Sequence, residues 1–269
     1  MTEHLEKTEN PSATPQATSM YVYGIIPAAD AGGWPGADGI DGPVRTVVAG
    51  ELAALVSSLP ADRVPGRRED LEAHRQVLSL ANERGTTIPM RFGIVIDSED
   101  LVCEDLLVRH AAEFTDLLGK LDGHVQMTVR AFYAEDALLR DVSESDPDIV
   151  RLTAAIQGRS ELESRQERIE LGQMVSERVT ARREQDEQAL LDVLAPLATE
   201  VRVDPPDSER VALNAQLLVR RDRRSALDDA VGVLSGALHG HLGLRYIGPL
   251  PPYSFTNLSL EAGGQDGGE

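Results

Sequence analysis

A single cysteine, Cys103, in 269 residues leaves no internal disulfide to be formed, which fits a reducing cytoplasm. It lies in the apolar-periodic Leu101-Val-Cys-Glu-Asp-Leu-Leu pattern and so reads as a packed thiol rather than a nucleophile. Aromatic residues make up only 4% of the chain, little material for a stacking pocket. No window approaches the roughly 20 apolar residues that cross a bilayer, and residues 1–19 carry no apolar signal core. Positive charge is also short: 26 Lys and Arg against 45 Asp and Glu give a net charge of −19. That balance disfavours nucleic acid and anionic membrane surfaces, which both demand basic patches. Catalytic fingerprints are missing as well. There is no GxxxxGKS/T phosphate loop, no HExxH, no GxSxG and no dinucleotide glycine pattern.

What is present is an acidic chain, 41% apolar, long enough for one large or two ordinary domains and expected to be soluble. The acid is concentrated: Asp97 to Asp148 holds 14 acidic and 4 basic residues, a net of −10. Such a face keeps a protein dissolved, or steers a basic partner.

The densest β-branched and aromatic run of the first half is Ile88-Pro-Met-Arg-Phe-Gly-Ile-Val-Ile-Asp97. Its flanks read as turns, so it is expected to be a buried, central strand, with Pro89 at its start or on an edge and Gly93 at a bulge. Ahead of it, residues 1–19 have the Ser, Thr, Pro, Gln and Glu content of a disordered tail. Strands are expected at Met20–Ile26 and Val44–Ala49, separated by a Gly/Pro-rich loop around Trp34. Helices are expected over Glu51–Leu59 and through Leu71, His74, Val77, Leu78 and Ala81 to the stop at Gly85. A further helix is predicted from Ser98 to Leu118, followed by an alternating strand, His124–Tyr133. The course β, β, α, β, α, β suits a ferredoxin-like α+β domain over residues 20–142, with helices on one face of a mostly antiparallel sheet.

The Ser143-Glu-Ser-Asp-Pro147 break is the expected boundary to a second α+β domain, residues 143–260, with a loose Gly-rich tail at 261–269. This half opens with a helix near Pro147–Gln157 and a long charged helix from about Ser160 to 195, roughly 50 Å if continuous. Within it Thr180–Gln188 has no large apolar residue, so it either stands free of the core or breaks the helix in two. Strands at Thr199–Val203, Arg210–Val219 and Leu244–Gly248 and a helix at Ala226–Leu242 complete the pattern.

Candidate chemical groups are few. His239-Gly-His241 is the best metal pair, but no Cys or acid stands at ligand spacing, and a position at a helix end favours imidazoles for structural reasons. His74 and His110 fall on or beside apolar stripes. The Asp38-Gly-Ile-Asp41-Gly segment lacks the frame and closing Glu of a calcium loop, which leaves a pair of Asp-Gly turns. The acidic pairs Glu99-Asp100, Glu104-Asp105 and Asp228-Asp229 have nothing in the pattern to bury them and shift their pKa values. No catalytic residue, cofactor or metal ligand is therefore expected. Binding or assembly is favoured over catalysis.

Several stretches together are similar to one family. Tyr21-Val-Tyr-Gly-Ile-Ile, Ile88-Pro-Met-Arg-Phe-Gly-Ile-Val, Glu170-Leu-Gly-Gln-Met-Val175, Val211-Ala-Leu-Asn-Ala-Gln-Leu-Leu-Val219 and Gly248-Pro-Leu-Pro-Pro-Tyr-Ser-Phe255 resemble the gas vesicle protein GvpL/GvpF family, in its order, over residues 20 to 258. Ile94 and Leu250 depart from residues the family often has there. The resemblance implies a non-enzymatic accessory protein of gas vesicle formation, in the cytoplasm or on the vesicle, that contacts the small hydrophobic shell protein GvpA. An acidic body could hold such an aggregation-prone subunit in solution, through a sheet edge or a helix. The partner-binding surface is not placed by sequence. The alternatives are a ferredoxin-like ligand-binding regulatory module unrelated to gas vesicles, and an enzyme using His74 or His239 and His241.

Overall fold

The computed structural model describes residues 18–34 and 37–257. The chain divides between Asp122 and Gly123 into two compact units, each with its own antiparallel sheet. The tail expected at 1–19 falls outside the described residues up to 17, but Thr18 and Ser19 already pair with Pro60 and Leu59 in a strand. The tail expected at 261–269 lies outside the described residues.

In the first unit the sheet runs β2 (Arg45–Ala49), β3 (Leu52–Pro60), β1 (Thr18–Pro27), β4 (Ile88–Pro89), with the short β5 (Val95–Ile96) also on β1. The central strand is β1, buried from Ser19 to Ile26. Ile88–Asp97 is not central. It forms two short pairings around a turn at Phe92–Gly93, where Gly93 holds φ +94°, and Pro89 lies on the edge where its missing N–H costs no ladder bond. The segment Glu51–Leu59 is a strand, not a helix. Gly50, at φ +59°, turns a tight hairpin that pairs Ala49 with Leu52, and Leu52–Val56 is buried at every position. A continuous apolar run has no period to separate a helix from a strand covered on both faces.

Helix α1 (Arg68–Arg84) packs on one face through Tyr21, Tyr23, Leu55, Val77, Leu78 and Ala81. Leu71, expected on this stripe, is 46% exposed, and Asp70 is buried instead. The single helix expected from Ser98 to Leu118 is in pieces. Ser98 caps it through Oγ, as expected, and α2 (Glu99–Leu101) runs into a π-helical stretch, Val102–Val108, before α3 (Ala111–Leu121). Leu106, Leu107 and Phe114 are buried as expected, whereas Leu101, expected beside them, is 37% exposed and Val102 is buried in its place. This stretch lies against β2 and β3.

The second unit opens with the strand assigned from sequence to the first. Strand β6 (His124–Tyr133) pairs with β8 (Val211–Arg220) and β9 (Leu242–Leu250), and β7 (Glu200–Val203) pairs with β8. Between β6 and β7 come α4 (Ala137–Ser145), α5 (Pro147–Ile156) and α6 (Arg165–Leu194); α7 (Arg224–Ala237) precedes β9. The Asp146-Pro147 break is a cap within this unit: Asp146 accepts from the N–H groups of Asp148 and Ile149, and Pro147 takes the first helical position. The boundary expected at 142/143 is therefore displaced to 122/123, because the partners of β6 all lie beyond residue 200.

Both sheets have the strand order 2-3-1-4 with every pair antiparallel. The complete β-α-β-β-α-β course associated with that order is found in the second unit. The first unit has a loop and one 3-10 turn, Ala28–Asp30, where the first crossover helix would stand, so the ferredoxin-like form expected for residues 20–142 is not shown there. The chain as a whole is α+β. Among the described residues no helix is long and apolar enough to cross a membrane.

Candidate functional site

The first unit buries an aromatic cluster around His74. Its ring lies 5.7 Å from that of Tyr21, 5.8 Å from Tyr23 and 5.6 Å from Phe92. The Tyr21 hydroxyl is 2.9 Å from His74 Nδ1 and accepts from the Gly93 N–H at 3.1 Å, so it fastens the Phe92–Gly93 turn to the sheet. Tyr23 shares a hydrogen bond with Ser57 and accepts from the Ile40 N–H. Burial pushes the His74 imidazole down to about 4, against a backbone hydrogen bond with Met90 that favours the proton. A neutral, enclosed imidazole with these partners locks a core.

In the second unit the polar run Thr180–Gln188 belongs to an unbroken α6 of 30 residues and is tied down by charge rather than standing free. Asp186 accepts from the Tyr133 hydroxyl at 2.9 Å and from Arg182 Nε at 3.0 Å, and His241 Nε2 lies 3.4 Å from it. Arg182 Nη1 also donates to Asp141 on α4 at 2.7 Å, and Arg183 donates to the Val211 carbonyl on β8. Burial, and then the bond to Asp186, raise the Tyr133 phenol above its ordinary value. One helix segment thus clasps α4, the end of β6, the start of β8 and the α7–β9 turn. The apolar pattern of the helix could not reveal this, because the cross-links come from residues far away in sequence.

On the other face of this sheet, two of the motif stretches meet. Gln126 Nε2 and Thr128 Oγ1 donate to Gln216 Oε1, and Gln216 Nε2 donates to Asp204. Ser254 N–H donates to Gln126 Oε1, which lays the Pro251–Phe255 segment across the strands; Phe255 is buried and Arg202 stands over its ring. Gly248 permits this return, since a Cβ there would come within 2.5 Å of Met127 Sδ. A buried amide ladder satisfied in this way fixes register.

The remaining candidates do not converge. His239 is exposed while His241 turns to Asp186. His110 sits 3.5 Å from Glu113 at the start of α3. Asp41 is paired with Arg63, which also holds the buried Asp70, and Cys103 is half-buried in the π-helical stretch. Among the described residues no three His, Cys, Asp or Glu side chains are grouped to hold a metal. A cleft of about 410 Å³ beside α6 is lined by Tyr133, Leu138, Val179, Arg183 and Arg210 among others; of the described residues bonded to Asp186, Tyr133 alone lines it. The histidine and aspartate of that network are therefore not presented to the cleft as an acid–base pair.

Comparison with known proteins places these features in context. The family model described as gas vesicle synthesis protein GvpL/GvpF matches residues 19–257. Gas vesicle protein F of a Streptomyces species, strain CB03234, is 36% identical over 241 residues, covering 88% of this chain and 99% of that protein. Gas vesicle protein F of a Nostoc species, strain PCC 7120, is 27% identical over 249 residues, covering 90% and 100%. The crystal structure of GvpF from Anabaena sp. PCC7120 superposes with a TM-score of 0.80 at 27% identity, over 90% of this chain and 99% of that one. GvpF from Microcystis aeruginosa gives 0.71, also at 27% identity, over 89% and 99%.

Proposed function

The chain belongs to the GvpL/GvpF family of gas vesicle synthesis proteins, and from that premise we propose that it binds shell subunits of the GvpA type during nucleation or assembly and limits their aggregation. The observation that carries the reading is the family match over residues 19–257, to relatives spanned almost end to end. The physical case is compatible. A chain of net charge −19 repels its own copies and stays dispersed while a hydrophobic subunit is bound to it. Its polar clusters serve to join elements, so the protein acts by contact rather than by transforming a substrate. It works in the cytoplasm and at the gas vesicle. The ligand-binding module unrelated to gas vesicles finds no support in these relatives.

Co-expression with a GvpA-type subunit tests the proposal. Affinity capture of this chain at low salt should retain the subunit, and the subunit should pellet less in its presence. A folded chain that captures none of it refutes the reading.

A further inference from the structure

We propose that the groove at the start of α6, formed by Leu162 and Ile169 and rimmed by Arg165 and Arg168, is where this protein holds its partner, and that the occupant is an amphipathic helix with carboxylates beside its apolar stripe. The inference rests on the reading above that the protein acts by binding another polypeptide.

Leu162 is 90% exposed and Ile169 46% exposed, and both line one groove of about 520 Å³. The apolar residues that α6 spends on its own core are others, from Leu171, Met174, Val175 and Val179 to the buried Leu190 and Leu194. A solitary exposed leucine is ordinary on a protein surface. This one is held out by a built turn. Ser160 Oγ donates to Glu163 Oε2 at 2.8 Å and accepts from the Glu163 N–H, a reciprocal cap ahead of the helix. The buried Ser164 donates to the Ser160 carbonyl at 2.8 Å, and Arg159 ties Glu167 and the Glu163 carbonyl. The exposure of Leu162 is therefore structural and not the fraying of a helix end.

Charge selects the occupant. Arg159 ahead of α6 and Arg178 further along it are each paired, with Glu167 and Asp146, whereas Arg165 and Arg168 have no ion-pair partner among the described residues. Arg168 is steadied through Nε on Ser164 Oγ at 2.9 Å. Among the described residues lining the groove two arginines stand against one acid, Glu161, while the neighbouring Glu163 and Glu167 are engaged by Ser160 and Arg159. A second copy would bring the same net charge to the contact and is disfavoured. A helix that lays its apolar stripe over Leu162, in the turn ahead of α6, and Ile169, within it, is the recognition mode suited to exposed anchors flanked by charge. Its carboxylates would pair with the arginines at contact range, where screening is weakest.

Two synthetic helices with an identical leucine stripe, one edged by Glu and one by Lys, test this by fluorescence anisotropy against the full chain. The Glu-edged helix should bind at least about tenfold more tightly at low salt. The Arg165→Glu/Arg168→Glu variant should reverse that preference, and Leu162→Ser/Ile169→Ser should lose binding while its circular dichroism is unchanged. Equal affinity for both edges, or full binding by the Leu162→Ser/Ile169→Ser variant, overturns the assignment. So does sedimentation showing a wild-type dimer that this variant dissolves, which would give the groove to a second copy. Capture of the co-expressed shell subunit separates the two levels. If the wild type fails, the proposed function falls; if wild type and variant capture it equally, only this surface does.

Discussion

At the scale of single residues, His74 and Gly93 show how the core of the first unit is fastened. His74 takes a proton only near pH 4 when folded, while an unfolded histidine does so near 6.5. The unfolded chain therefore binds more protons between those values, and stability falls as pH drops from about 6.5 to about 4, by about 3 kcal/mol from this group. Chemical melts of the wild type and His74→Gln at pH 7 and pH 4.5 should show the variant weaker at pH 7 yet with a smaller loss on acidification. Gly93 has open space around a would-be Cβ, so its requirement is conformational. With φ at +94°, Gly93→Val should cost about 1–3 kcal/mol and Gly93→Asn less, read from urea midpoints. Little of this is legible in the sequence. The helical stripe identifies His74 as a core residue, but no local pattern tells that Tyr21, some 50 residues away, supplies the hydroxyl.

At the scale of elements, periodicity serves best where one face is wet. Strand β6 alternates, and α1 and α7 carry their stripes, so all three are readable. Strand β3 has no wet face, and its apolar run reads wrongly as a helix. The π-helical stretch breaks the expected single helix into pieces, which a fixed 3.6 period does not anticipate. The polar part of α6 is the instructive case, because its neighbours are chosen by charge. Removing Asp186 leaves a buried phenol and a guanidinium short of an acceptor, so Asp186→Ala should cost about 2–4 kcal/mol. A double-mutant cycle with Tyr133→Phe should give a coupling of about 1–3 kcal/mol, and additivity within error would show that the two do not cooperate.

At the scale of the molecule, the division after Asp122 determines which fragments can fold. Residues 18–122 and 123–257 should each give a cooperative thermal transition when produced separately. A fragment ending at residue 142 should precipitate or melt without cooperativity, since it carries β6 without β8 and β9 to cover its edges. Scanning fragments by circular dichroism and light scattering checks both statements. The boundary is hidden from sequence reading because β6 follows α3 after a two-residue turn, as a strand of the same sheet would. Only pairings with residues 211–250 assign it elsewhere.

Those pairings bear on the order of events as the chain is made. Loop closure becomes costlier with the length of chain between two partners, and distant pairings are slow. The β1–β3 pairing joins residues such as Val22 and Val56, so the first sheet can form early in synthesis. The register of Val129 against Ala215 and Tyr246 obliges β6 to wait until residues as far as 250 have emerged. Throughout that delay an apolar strand lies unsheltered, tethered to a finished neighbour. Translation pauses or holding chaperones acting between those two moments are therefore expected to alter the yield of native protein.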